Sequence, residues 1–226
     1  MLPEPTNKYE TLEEFITEVI AFGKEHPNPD FYAEQFGELA NELQFSIMQD
    51  AKAPTEPQPR IYRPSANLSC QGISHFIQEQ TPVKPIPPSA RAVLRMGHTL
   101  HAETYAALKS GAPEGVRGLV EVGIDLPSWW PKEHAKSTGT IDLIFYFEKD
   151  LLTNYLTQEL LDSLPDKIIA DVKSTSFFGF KKMKTEDYNV GGNDFGYVSQ
   201  LAIYSEVENT LDSGALLIGI NRNSPQ

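Results

Sequence analysis

Cys70 is the only cysteine among 226 residues. This excludes an internal disulfide and any zinc or iron–sulfur site built wholly from this chain's thiolates. A lone thiol also suits a reducing cytoplasm, which is the expected location. Long apolar runs are missing as well. The best, Leu143 to Phe147, has the length of a strand and falls far short of the ~18 residues of a membrane helix. The opening Met1-Leu2-Pro3-Glu4-Pro5 lacks the basic then apolar pattern of a secretory signal. Positive charge is scarce: 19 bases against 31 acids leave a formal net charge of −12. That argues against broad phosphate binding, which draws on clustered Lys and Arg. The deficit is uneven. Residues 1–60 hold 12 acids and 4 bases, whereas Lys173, Lys181, Lys182 and Lys184 follow one another with no acid between them. A local phosphate site remains open.

What is present is globular in proportion, with 40% apolar, 10% aromatic and 22% charged residues, enough for one sizeable core with appendages. Thr11 and Glu14 have capping-box spacing, and Leu12, Phe15, Val19 and Phe22 recur at helical intervals. Asp30 is expected to cap a second helix whose stripe is Phe36, Leu39, Leu43 and Ile47. Residues 1–64 thus read as an acidic helical extension, offering a surface for a protein partner, with a proline-rich linker over 52–64. Residues 65–226 read as the main domain.

Within that domain Ser65 is expected to cap a helix over 66–79, and Ser89 a helix running to Leu108, with Gly111 ending it. Val120, Val122, Ile124 and Leu126 alternate as one face of a strand, placing Glu121, Gly123 and Asp125 on the other. Thr140 to Phe147 and Lys167 to Lys173 read as two more strands, separated by a polar insertion over 148–166. Residues 177–193 read as a loop, 195–209 as a helix and 215–220 as a last strand. Helix, three strands, helix, strand predicts an α/β or α+β fold with a mixed sheet flanked by helices.

Asp142 falls in the middle of an apolar strand, where an acid costs several kcal/mol unless paired or bound to a cation. In Asp171-Val172-Lys173 the two-residue period puts carboxylate and ammonium on one face. Two strands each offering an acid, one beside a lysine, suit a metal that activates water near a phosphate. An isolated Asp-x-Lys is more often a structural pair; here the context adds further groups. Gly97 and His101 share a helix face, the glycine allowing another backbone to come close. Gln200 and Tyr204 share another and offer donors to phosphate oxygens.

In order, Gly97-x-x-x-His101, Gly139-x-x-Asp142, Asp171-x-Lys173 and Gln200-x-x-x-Tyr204 resemble the motifs of the PD-(D/E)XK nuclease superfamily, in its RecB-like, phage-type exonuclease branch. The resemblance covers about 89–221. It implies a restriction-endonuclease-like core and a metal-dependent DNA exonuclease that acts on ends or single strands in recombination, repair or replication. If the chain is viral, the location is the host cytoplasm. It implies that His101, Asp142, Asp171 and the carbonyl of Val172 bind the cation, and that Lys173 orients or deprotonates water. Gln200 and Tyr204 would hold the DNA strand. The mixed oxygen and imidazole ligand set would accept Mn²⁺ at least as well as Mg²⁺. Glu121 has a supporting role on this reading. His101, not His98, is the expected imidazole ligand.

Three features depart from the pattern. Asp142 and Asp171 are 29 positions apart, where the family has a short hairpin, so 148–166 is either a lid or decoration. Relatives continue beyond the last strand, so the sequence reads as part of a longer chain. Iron–sulfur members carry one cysteine ahead of the histidine motif and three after the last helix; Cys70 alone reads as buried and inert. The stretch Phe177-Phe178-Gly179-Phe180-Lys181-Lys182-Met183-Lys184 either grips single-stranded DNA through Phe178 and its lysines or is partly core.

Overall fold

A computed structural model describes residues 1–51, 88–128, 138–176, 181 and 197–221. Their helices are α1 (Leu12–Glu25), α2 (Pro29–Ala51), α3 (Pro88–Gly111), α4 (Gln158–Ser163) and α5 (Tyr197–Val207). The strands are β1 (Val116–Asp125), β2 (Thr138–Phe147), β3 (Lys167–Thr175) and β4 (Ala215–Asn221). The strands form one sheet in the order β1-β2-β3-β4. The first three are antiparallel and β4 joins β3 in parallel. The fold is therefore α+β, a mixed four-stranded sheet flanked by helices. The helix expected over 66–79, the linker over 52–64, Cys70 and the loop expected over 177–193, apart from Lys181, lie outside the described residues.

The central strands carry long apolar runs because their residues serve two cores. Leu143, Phe145, Phe147, Ile168, Ala170 and Val172 pack with Phe15, Val19, Tyr105 and Leu108 of α1 and α3. Ile144 and Ile169, one residue out of phase with these, pack with Leu201, Ile203 and Tyr204 of α5. Strands buried on both faces read as continuous apolar runs, which is how Leu143 to Phe147 appears in the sequence.

Residues 2–19 belong to the main core and are not an appendage: Leu2, Phe15, Ile16 and Val19 share the cluster of β2 and β3. The insertion over 148–166 packs there too, through Leu152, Tyr155, Leu156, Leu161 and Leu164. Tyr9 bridges Leu156 and the Tyr155 hydroxyl donates to the Leu2 carbonyl at 3.0 Å. The insertion follows the Phe147 end of β2 and forms part of the core there, so its role is structural.

α2 differs from expectation at its start and in its stripe. The side chain of Asn28 accepts from the Asp30 amide at 3.0 Å, so Asn28 is the capping residue and Pro29 opens the helix, the position proline favours. Asp30 lies in the first turn instead. Gln35 and Leu39, four apart, are the residues buried, whereas Phe36 and Ile47 are exposed, because only one narrow face of α2 meets α3. α3 likewise begins one residue before Ser89, at Pro88. No helix among the described residues is long and apolar enough to cross a membrane.

α1 and α3 touch backbone to backbone. A Cβ at Gly23 would lie 1.8 Å from the Ala107 carbonyl oxygen, and one at Gly111 would lie 1.9 Å from that of Val19. Neither carbonyl can move without shifting a helix. We expect Gly23→Ala to destabilise by about 1–3 kcal/mol through overpacking, despite alanine's better helix propensity. Gly37 supplies the contrast, since a Cβ there would meet nothing within 4 Å: Gly37→Ala should gain up to about 1 kcal/mol. Urea denaturation of the two variants checks both signs.

Candidate metal centre

Strand register brings the acids together. Val120 pairs Leu143 and Val122 pairs Ile141, which sets Glu121 opposite Asp142. Leu143 pairs Ala170, which sets Asp142 next to Asp171 where β2 and β3 part. There the Asp142 carboxylate accepts from the Val172 amide at 2.8 Å, in place of a strand carbonyl. Three carboxylates therefore run in a row across three adjacent strands. Like charges directly opposite one another oppose pairing.

Glu121 has φ of 50°, a left-handed conformation that costs a non-glycine residue about 1–3 kcal/mol. Its effect is to turn the strand over. Val116 and Val120 pack on the α1–α3 core, but Val122, Ile124 and Leu126 pack on the α5 core. The alternation expected over Val120 to Leu126 is thus broken at Glu121. β2 changes sides at the same row, with Leu143 on one core and Ile141 with Ile144 on the other.

α3 lies over this row and contributes His101 and, one turn later, Tyr105. The buried Tyr105 hydroxyl donates to Glu121 Oε1 at 3.0 Å and lies 3.3 Å from His101 Nδ1. One ligand atom each from His101, Glu121 and Asp142 falls within 4.8 Å of the others, close enough for one cation to touch all three. Gly97 keeps this part of α3 near β3, since a Cβ there would lie 3.1 Å from the Ser174 hydroxyl. His98 points elsewhere, 3.7 Å from Glu42 on the exposed surface.

Asp171 stands beside this triad and not within it. Lys173 Nζ donates to its Oδ1 at 2.6 Å and lies 3.9 Å from Asp142 Oδ2. Gln200 Nε2 reaches the same Oδ1 at 3.4 Å. Asp171 is 1% exposed, and its Oδ2 has no hydrogen-bond partner among the described residues, nor has Gln200 Oε1. A buried, partnerless carboxylate oxygen is costly and fits a cation's coordination.

Gln200 and Tyr204, expected at the DNA surface, are 3% and 4% exposed. Gln200 supports Asp171, and Tyr204 fills the space left by Gly139, where a Cβ would lie 3.0 Å from the ring. Lys181 is exposed; Lys182, Lys184 and Phe178 lie outside the described residues. Tyr105 escaped the sequence reading, although its place four residues after His101 puts it on the same helix face. Glu121, read as supporting, belongs with His101 and Asp142.

The electrostatics follow from this crowding. Burial pushes the Asp171 carboxyl up to about 7, with Lys173 opposing and Asp142 adding to the rise. Desolvation and then the Asp142 charge push Glu121 up to about 7; the residue keeps open surface, so water screens part of this. Burial lowers His101, with Asp142 opposing. Burial, then the Asp142 and Glu121 charges, raise Tyr105, so its phenol remains a donor.

Comparison with protein-family models, curated proteins and solved structures finds no match to this chain.

Two raised acids mean that, from about pH 4 to 7, the folded state holds protons that the unfolded chain has released. Without a cation, their contribution to stability falls as pH rises through that window. His101, being lowered, acts in the opposite sense below its ordinary 6.5. In EDTA the Tm should therefore be lower at pH 8 than near pH 5. Mn²⁺ at a hundred times its Kd should restore about 2.7 kcal/mol at pH 8, or about 5–11 °C, and less at pH 5. Asp142→Asn should raise the Tm at pH 8 in EDTA and abolish the Mn²⁺ response. Thermal melts in the four conditions test this; a Tm at pH 8 indifferent to Mn²⁺ would count against a cation site.

Proposed function

We propose that the chain is a divalent-metal-dependent deoxyribonuclease of the PD-(D/E)XK type, with a restriction-endonuclease-like core, acting as an exonuclease on DNA ends. The observation that carries this reading is the meeting of His101, Asp142, Asp171 and Lys173, from one helix and two strands, beside Glu121. Their motifs are far apart in sequence, and strand pairing and the packing of α3 on the sheet bring them to one place. The four motifs fall on α3, β2, β3 and α5, the helix, two strands and helix that the resemblance implies.

The residues fit a divalent cation. His101, Glu121 and Asp142 surround one position, and the free Oδ2 of Asp171 lies alongside. Carboxylates with one imidazole suit Mn²⁺ as well as Mg²⁺. Such a cation supplies Lewis acidity toward the scissile phosphate and toward water. Lys173, held between Asp171 and Asp142, orients the attacking water by hydrogen bonding and offsets charge that builds on the phosphorane. Water's oxygen forms the new bond to phosphorus and gives up a proton to solvent as the P–O ester bond breaks, and the departing oxygen takes up a proton from solvent. Gln200 keeps Asp171 in place, and the Val172 amide keeps Asp142 in place. The partner is DNA, in the setting of recombination, repair or replication, and the location is cytoplasmic.

Incubation of end-labelled linear and circular DNA, single- and double-stranded, with Mn²⁺, Mg²⁺ or EDTA tests the proposal. Metal-dependent loss of linear DNA alone is expected. Lys173→Ala should lower the rate by at least about 10²-fold while leaving the protein folded. Cutting of circles would make the enzyme an endonuclease. No cutting by folded protein in any metal would leave a nucleic-acid or partner-binding module.

A further inference from the structure

Tyr105 contributes nothing to the four motifs, yet its hydroxyl joins two candidate ligands that come from different elements. It lies 3.0 Å from Glu121 Oε1 on β1 and 3.3 Å from His101 Nδ1 on α3. The residue is 3% exposed, so the hydroxyl is aimed inward and is fixed by packing.

A phenol has one proton to give. With the Glu121 carboxylate as acceptor, that proton is committed, and toward His101 the hydroxyl oxygen can only accept. An Nδ1 proton donated to that oxygen leaves Nε2 with the lone pair; the Val172 backbone also lies within hydrogen-bond reach of the ring. The same hydrogen bond ties down Oε1 of Glu121 and leaves Oε2 unengaged by the tyrosine. We propose that Tyr105 is the positioning residue of the metal centre, setting the His101 tautomer and the Glu121 rotamer so that Nε2 and Oε2 are presented together to the cation. The proposal rests on the metal-site reading above and adds to it a residue that touches neither cation nor substrate. Partners of this kind orient a ligating imidazole and typically change metal affinity 10–100-fold.

Two measurements on the full chain test it. The first is Mn²⁺ affinity by calorimetry at pH 8.5 for the wild type and Tyr105→Phe. Melts in EDTA confirm that each is folded. The variant should bind about 10–100-fold more weakly. The second is a long-range ¹H–¹⁵N correlation spectrum of the Zn²⁺-loaded wild type, which should give His101 protonated at Nδ1 and metal-bound at Nε2. Equal Mn²⁺ affinity in a folded variant, or metal on Nδ1, overturns the role of Tyr105 and leaves the metal site standing. Absence of Mn²⁺ and Zn²⁺ binding by the wild type overturns the metal-site reading and this inference with it. Should Tyr105→Phe fail to fold, the wild-type spectrum alone decides.

Discussion

Three carboxylates that stand in line on adjacent strands repel one another, and much else in this fold is arranged around that repulsion. β1 adopts a left-handed residue at Glu121, β2 and β3 part beyond Leu143 and Ala170, and the Val172 amide turns to the Asp142 side chain. Lys173 is drawn to within 2.6 Å of Asp171, yet Asp171 Oδ2 still lacks a partner among the described residues. A protein that tolerates such a cluster without full compensation gives up stability there. The hydrophobic cores on either side supply the surplus that makes this possible.

Much of the fold was legible in the sequence, for identifiable reasons. Apolar patterning located α1, β2 and β3 because each has a buried face, and β4, most of whose residues are half-buried, through its apolar run. The capping-box spacing of Thr11 and Glu14 located the start of α1, where the Thr11 side chain does accept from the Glu14 amide. The stripe of α2 misled because three of its four apolar positions are only partly covered. Apolar periodicity reports what a helix could bury and not which part meets a neighbour. The strand face over Val120 to Leu126 misled for another reason. Glu121 resets the alternation through its backbone angle, which no side-chain pattern records.

At the candidate site, the two-residue spacing put the Asp171 carboxylate and the Lys173 ammonium together on β3, where they meet at 2.6 Å. What it did not carry was the pairing between strands. Glu121 is recognisable as a member of the group only once Val120 is known to face Leu143. Gln200 and Tyr204 illustrate the converse. Their helix and their spacing were evident, but whether a polar side chain on such a helix faces solvent or a buried carboxylate depends on tertiary packing. Gly97 falls between these cases: it was read as letting another backbone come close, and the group that the structure brings near is the Ser174 side chain.

The joining of residues 2–19 to the insertion over 148–166 bears on how the chain reaches this fold. Leu2 and Tyr155, 153 positions apart, are hydrogen-bonded, and Phe15 lies against Tyr155. Contacts this distant in sequence require the loss of loop entropy before any burial rewards it. On a ribosome, α1 would emerge long before β2 and β3 exist to cover Phe15, Ile16 and Val19. The early chain would therefore wait with its apolar face open, and closure of the main core would be a late event of synthesis.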